Sequence, residues 1–105
     1  MKRLLRLHKM FKEDYLAARC AVEEPARLTA ELKTIAAILQ QAQNLPSRYV
    51  SNALFVEGVG WHECYVYVDK KTMIIMQYKI EEHCVTFTRI GTPASFGKKQ
   101  KIFAK

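Results

Sequence analysis

Trp61-His62-Glu63-Cys64-Tyr65-Val66-Tyr67-Val68 alternates as an extended strand does. Successive side chains of a strand point to opposite faces, so Trp61, Glu63, Tyr65 and Tyr67 share one side and His62, Cys64, Val66 and Val68 the other. Small apolar residues mark the second side as the core and leave Glu63 and Tyr65 on an open face. Downstream, Thr72 to Ile80 and Cys84 to Ile90 are again rich in β-branched and aromatic residues. The turn-like Asp69-Lys70-Lys71 and Glu81-Glu82-His83 join them, and links so short imply an antiparallel meander. In the last strand Val85 and Phe87 share the parity of Arg89, which is expected to emerge only where the strand ends.

Upstream the period changes. Arg3 to His8 reads as a short strand, after which Phe11, Tyr15, Ala18 and Val22 recur at i, i+4, i+7 and i+11, one face of a helix. Glu23-Glu24-Pro25 ends that helix and opens the next, where Leu28, Leu32, Ile35, Leu39 and Ala42 repeat at helical spacing. Asn44-Leu45-Pro46-Ser47 stops the second helix before a loop holding Arg48, Tyr49, Ser51 and Asn52. A helix pair must bury its apolar stripes, and in so short a chain one face of the sheet is the available partner. The expected class is α+β, in the order β-α-α-β-β-β, with a helix hairpin on one face of a curved antiparallel sheet. The 105 residues suffice for one domain, 1–105.

The net charge of +7 sits at the ends: residues 1–22 carry +4, 23–44 carry −1, 45–97 balance, and 98–105 carry +4. Such a field attracts polyanions, although solvated surface lysines account for it equally well. No uncharged apolar run is long enough for a membrane span, and cations interrupt the start, so neither a membrane segment nor a signal peptide is expected. Three cysteines, Cys20, Cys64 and Cys84, form no spaced framework and point to a reducing, cytoplasmic setting. Cys64 and Cys84 with His62 and His83 fit no established zinc spacing, so no metal site is expected.

Where the last strand breaks, Arg89 precedes Gly91-Thr92 and the turn Pro93-Ala94-Ser95-Phe96-Gly97. An arginine offers a fixed cation and a fork of donors to phosphate, and Phe96 is placed to stack on a base. The junction points to RNA.

Several segments carry a family resemblance. Phe11-Lys12-Glu13-Asp14-Tyr15, Leu45-Pro46-Ser47-Arg48-Tyr49, Gly60-Trp61-His62-Glu63-Cys64-Tyr65, Gln77-Tyr78-Lys79-Ile80 and Thr88-Arg89-Ile90-Gly91-Thr92 resemble, in order and spacing, the motifs of RelE/ParE-superfamily toxins, nearest the YafQ-like branch. The resemblance implies a type II toxin that cuts mRNA on the ribosome without metal or other cofactor and is restrained by a cognate antitoxin in a hetero-oligomer. It implies catalytic roles at Arg89, Tyr65, Glu63, His62 and Asp69. RNA contacts are expected from Phe96, Asn52, Arg48, Lys79, Lys98, Lys99 and Lys101. YafQ-like members generally carry histidines where this chain has Asn52, Tyr65 and Pro93. Two alternatives therefore stand: a catalytically impaired relative that binds antitoxin or nucleic acid, and a ParE-type gyrase inhibitor.

Overall fold

The computed structural model describes residues 2–54, 58–69 and 72–96. Its elements are β1 (Leu4–Leu7), α1 (Lys9–Ala21), α2 (Pro25–Gln40), a 3-10 turn (Ser47–Tyr49), β2 (Asn52–Ala53), β3 (Trp61–Tyr67), β4 (Met73–Ile80) and β5 (Cys84–Gly91). One five-stranded sheet runs β1-β5-β4-β3-β2.

Local chemistry sets the boundaries. The His8 Nδ1 accepts from the Met10 N–H at 3.1 Å and caps α1, while Pro25 occupies the first turn of α2, where its missing N–H costs nothing. The apolar stripe of α2 (Leu28, Leu32, Ile35 and Leu39) is buried together with Phe11, Ala18 and Val22 of the first helical segment. They meet Cys64, Val66, Ile74, Met76, Tyr78, Val85, Phe87 and Ile90 in one core. The Tyr15 and Thr29 hydroxyls hydrogen-bond across the helix pair.

Strands β3, β4 and β5 form the expected antiparallel meander, with Glu63 opposite Gln77 and Gln77 opposite Arg89. The sheet as a whole is mixed, because β1 pairs parallel to β5, Leu4 with Cys84 through Leu7 with Phe87. A strand with no tight turn to its partner has no local signal for its direction, so the all-antiparallel expectation applies only to the other pairings.

One irregularity decides the parity of β5. The register shifts between Gln77 and Tyr78, which face Arg89 and Phe87, so Thr88 is an extra residue and forms a bulge. The Thr88 hydroxyl donates to the Gln77 carbonyl at 3.0 Å and satisfies the broken ladder. Val85 and Phe87 consequently face the core, and beyond the bulge Ile90 faces it instead of Arg89. At the start of β3, Gly60 has φ +86, and a Cβ there would strike the Ile80 carbonyl oxygen. That contact is possible only for glycine, and it lets the Ile80 N–H donate to the Gly60 carbonyl at 2.8 Å.

Candidate active site on the helix-free face

The face of the sheet away from the helices carries Trp61, Glu63, Tyr65 and Tyr67 of β3 and, by register, Met73, Ile75, Gln77 and Lys79 of β4. Pairing lines up one row across four strands: Asn52, Glu63, Gln77 and Arg89. Lys79 lies in the next row, opposite Trp61 and Thr86, and Tyr65 in the row on the other side, opposite Ile75. Three sequence-chosen residues, Asn52, Glu63 and Arg89, thus share one line, with Tyr65 and Lys79 flanking it.

The Tyr65 hydroxyl donates to Glu63 Oε2 at 3.4 Å. The Glu63 carboxylate holds the Tyr65 phenol above its ordinary pKa of 10.0, with desolvation adding to the effect. Tyr65 is therefore protonated at neutral pH and is suited to donate a proton. Lys79 places its ammonium 5.5 Å from the centre of the Trp61 ring, a cation–π contact that steadies a positive charge beside the row. Asn52 is exposed at the end of the row, its amide donating to the Val50 carbonyl at 3.3 Å.

Arg89 does not emerge at the strand end. It is 6% exposed and grips Asp14 of α1, Nε to Oδ2 at 2.5 Å and Nη2 to Oδ1 at 3.2 Å. Asp14 Oδ2 also accepts the Ile90 N–H at 3.3 Å. The reason lies in the sheet: β1 follows β5 only as far as Phe87, and the helix after it carries Asp14 to the edge that β1 leaves uncovered. The guanidinium charge is thus balanced inside the domain.

Other expected site residues stand elsewhere. His62 points to the helix side, stacked on Tyr78 with ring centres 5.4 Å apart, and burial lowers its pKa, so it does not join Glu63 and Tyr65. It lines a separate cleft of about 420 Å3 with Arg3, Ser51 and Tyr78. Asp69, six residues past Glu63, lies roughly 20 Å further along an extended chain and accepts the Thr72 N–H at 2.7 Å, closing the β3–β4 turn. Phe96 is 3% exposed and packs over Gly91, where a Cβ would come within 3.3 Å of its ring, so it is not displayed for stacking on a base. Arg48 keeps an exposed side chain but lies over the Tyr49 ring and pairs with Glu31 at 3.4 Å, which ties the loop to α2. Lys98, Lys99 and Lys101, with the basic tail 98–105, lie outside the described residues. Among the described residues, no three His, Cys, Asp or Glu side chains are grouped to hold a metal ion, and no helix is long and apolar enough to cross a membrane.

Two residues of this region were missed in the sequence. Gln77 had a readable signal: a short turn fixes hairpin register and sets it opposite Glu63. Asp14 had one as well, an acid lying on the apolar helix face between Phe11 and Ala18, where burial demands a cation.

No family model matches the sequence, and no curated protein matches it. Solved structures do match. The Escherichia coli DinJ–YafQ toxin–antitoxin complex superimposes with a TM-score of 0.70 at 21% identity, covering 90% of this chain and 97% of that one. The chain has the YafQ fold. YafQ from E. coli strain BL21(DE3) agrees with a TM-score of 0.68 at 22% identity, over 90% of this chain and 98% of that one. A metal-bound toxin from Helicobacter pylori shares the YafQ fold at 18% identity with a TM-score of 0.65, over 90% of this chain and 98% of that one. The α+β order read from the sequence is that of the YafQ fold.

Proposed function

We propose that this protein is the toxin of a type II toxin–antitoxin pair and that it cleaves mRNA on the ribosome. The observation that carries the reading is the row Asn52, Glu63, Gln77 and Arg89 on the helix-free face of a YafQ fold, with Tyr65 and Lys79 beside it. In the reaction the ribose 2′-oxygen attacks the adjacent phosphorus and the bond to the 5′-oxygen breaks, leaving a 2′,3′-cyclic phosphate and a 5′-hydroxyl. Glu63 takes the 2′-proton and Tyr65, protonated at neutral pH, gives one to the departing oxygen. Lys79 offsets the charge that builds on the phosphorane. Arg89 acts through the position of β5, since its side chain is engaged with Asp14. Asn52 contacts the RNA.

Purified protein added to a translation reaction is expected to produce mRNA ends in phase with codons, and Tyr65→Phe and Glu63→Gln are expected to remove them. Intact mRNA with the wild-type protein would sink the proposal. A binding-only relative is the second reading, favoured by the internal neutralisation of Arg89; it predicts no growth arrest when the protein is expressed without a partner.

A further inference from the structure

The cleft that takes in His62 lies across the sheet from the row, and RNA cleavage has no use for it. It encloses about 420 Å3 between the end of α2, the loop after that helix and strands β2 to β4. Small-molecule sites occupy roughly 300–1,000 Å3, so the cleft is of that size and much larger than a simple ion. Its one permanent cation is Arg3, and no acidic residue lines it. Arg3 Nη1 donates to the Leu39 carbonyl at 3.2 Å, and no carboxylate pairs with the guanidinium among the described residues. The Nε–H is shut off from solvent and finds no acceptor among them either. A buried donor left so is costly, and an anion gripping the Nε–Nη2 edge of the fork satisfies it. The end of α2 does not compete for that charge. Its last four carbonyls, from Ala37 to Gln40, already accept from Gln41, from Gln43, from Ala42 with Arg3 Nη1, and from the Arg3 N–H respectively.

The remaining polar groups describe what the anion is attached to. Asn44 brings an amide with donors and an acceptor, and His62, its pKa lowered by burial, keeps a ring N–H and a bare nitrogen at neutral pH. Ser51 and Tyr78 share a hydroxyl–hydroxyl bond of 2.8 Å at the wall, and Leu45 and Ile80 are apolar. Donors and acceptors beside apolar walls suit a flat heterocycle, and the guanidinium fork suits a phosphate. We propose that this cleft binds a nucleoside monophosphate, with the phosphate on Arg3 and the base between Asn44, His62 and the side chains of Leu45 and Ile80. The site goes beyond the toxin reading and does not depend on it. It also touches the row from behind: Ser51 and His62 adjoin Asn52 and Glu63, which pair across β2 and β3.

The test is calorimetric titration of the purified full chain with the four ribonucleoside 5′-monophosphates, followed by amide and imidazole chemical shifts. At least one monophosphate is expected to bind with a Kd below about 1 mM and to move the Ser51 amide and His62 ring signals. Its nucleoside and inorganic phosphate are each expected to bind at least about tenfold more weakly. Arg3→Gln is expected to weaken binding about tenfold or more, and Arg3→Lys, which keeps the charge and loses the fork, to fall between. Asn44→Asp, at an exposed loop position that leaves the melting curve unchanged, is expected to weaken it as well by setting a carboxylate against the phosphate. Lys79→Ala, on the other face of the sheet, leaves the affinity as it was. A 5′-phosphorylated trinucleotide with 2′-O-methyl riboses, which cannot be cleaved through its 2′-oxygens, binds more tightly than the monophosphate if the cleft takes the end of a strand, and no more tightly if it takes a free nucleotide. No binding by any of the four, or inorganic phosphate binding as well as the best of them, overturns the proposal. So does an affinity that Lys79→Ala removes while Arg3→Gln and Asn44→Asp leave it intact, which moves the nucleotide to the row. None of these outcomes bears on mRNA cleavage, which Glu63→Gln and Tyr65→Phe test separately.

Discussion

Replacing Arg89 by alanine leaves the Asp14 carboxylate inside the protein with its cation removed, and the cost follows from the geometry. Both side chains are nearly inaccessible, at 8% and 4% exposure, and two contacts of 2.5 and 3.2 Å join them. Breaking one partner of such a pair costs about 3–5 kcal/mol, because the remaining charge stays out of water without its counter-charge. A domain of this size is stable by about 5–15 kcal/mol, so Arg89→Ala removes about a fifth or more of the total and lowers Tm by roughly 4 °C or more per kcal/mol. Asp14→Ala should cost at least as much, since the Ile90 N–H loses its acceptor as well. Asp14→Leu with Arg89→Met removes both charges and is expected to recover most of the loss; with the Asp14→Leu and Arg89→Met single variants as the other corners, the double-mutant cycle should give a coupling energy above about 2 kcal/mol. Urea unfolding followed by circular dichroism measures each corner. Single variants costing under about 1 kcal/mol, or an additive double variant, would refute the reasoning. The outcome bears on function: a growth or cleavage assay of Arg89→Ala reads folding as well as chemistry, and must be run where the variant is shown to be folded.

Three further outcomes follow from the structure. Gly60→Ala meets both a left-handed backbone at φ +86 and the Ile80 carbonyl, and should lower stability by at least about 2 kcal/mol in urea titration, whereas Gly58→Ala, facing only the Trp61 ring at 3.9 Å, pays the backbone strain alone. Burial pushes Tyr78 up to about 12 while the unfolded chain ionises near 10, so its stabilisation is whole below pH 10 and disappears as the pH rises from 10 to 12. That loss is on the order of 2–3 kcal/mol, and Tyr78→Phe should flatten the alkaline limb of a stability–pH curve in that window. Tyr65→Phe keeps the ring and is expected to change stability by under about 0.5 kcal/mol while reducing mRNA cleavage about a hundredfold; equal cleavage would remove Tyr65 from the proton-transfer role.

The helices and the meander were legible because their signals are local. Apolar residues at helical spacing gave α1 and α2 to within a turn, Pro25 marked the boundary between them, and short turns set β3, β4 and β5 in register. What stayed hidden depends on residues far apart in the chain. The direction of β1 has no turn to declare it, and the two-residue β2 is too short for any periodicity. Arg89 looked like a surface cation because nothing near it in sequence is acidic; its partner lies 75 residues earlier. The bulge at Thr88 reverses side-chain parity in mid-strand, so alternation alone assigned Val85, Phe87 and Arg89 to one side. Phe96 resembled a displayed aromatic until the turn after Gly91 folded it inward. Glu63 and Tyr65 were read correctly as facing away from the core, since the alternation of β3 is uninterrupted.

The parallel pairing of β1 with β5 also sets the order in which the molecule can be completed. Leu4 meets Cys84, 80 positions later (84 minus 4), so the first strand to be synthesised waits for the last before it has a neighbour. Closing so long a loop is entropically costly and slow compared with zipping the β3–β4 hairpin. The helices and the hairpin can form early during synthesis, while Arg89 reaches Asp14 only in the final docking of β5. Until that step the four-strand row lacks its last member, so the candidate site is completed only when the whole sheet is.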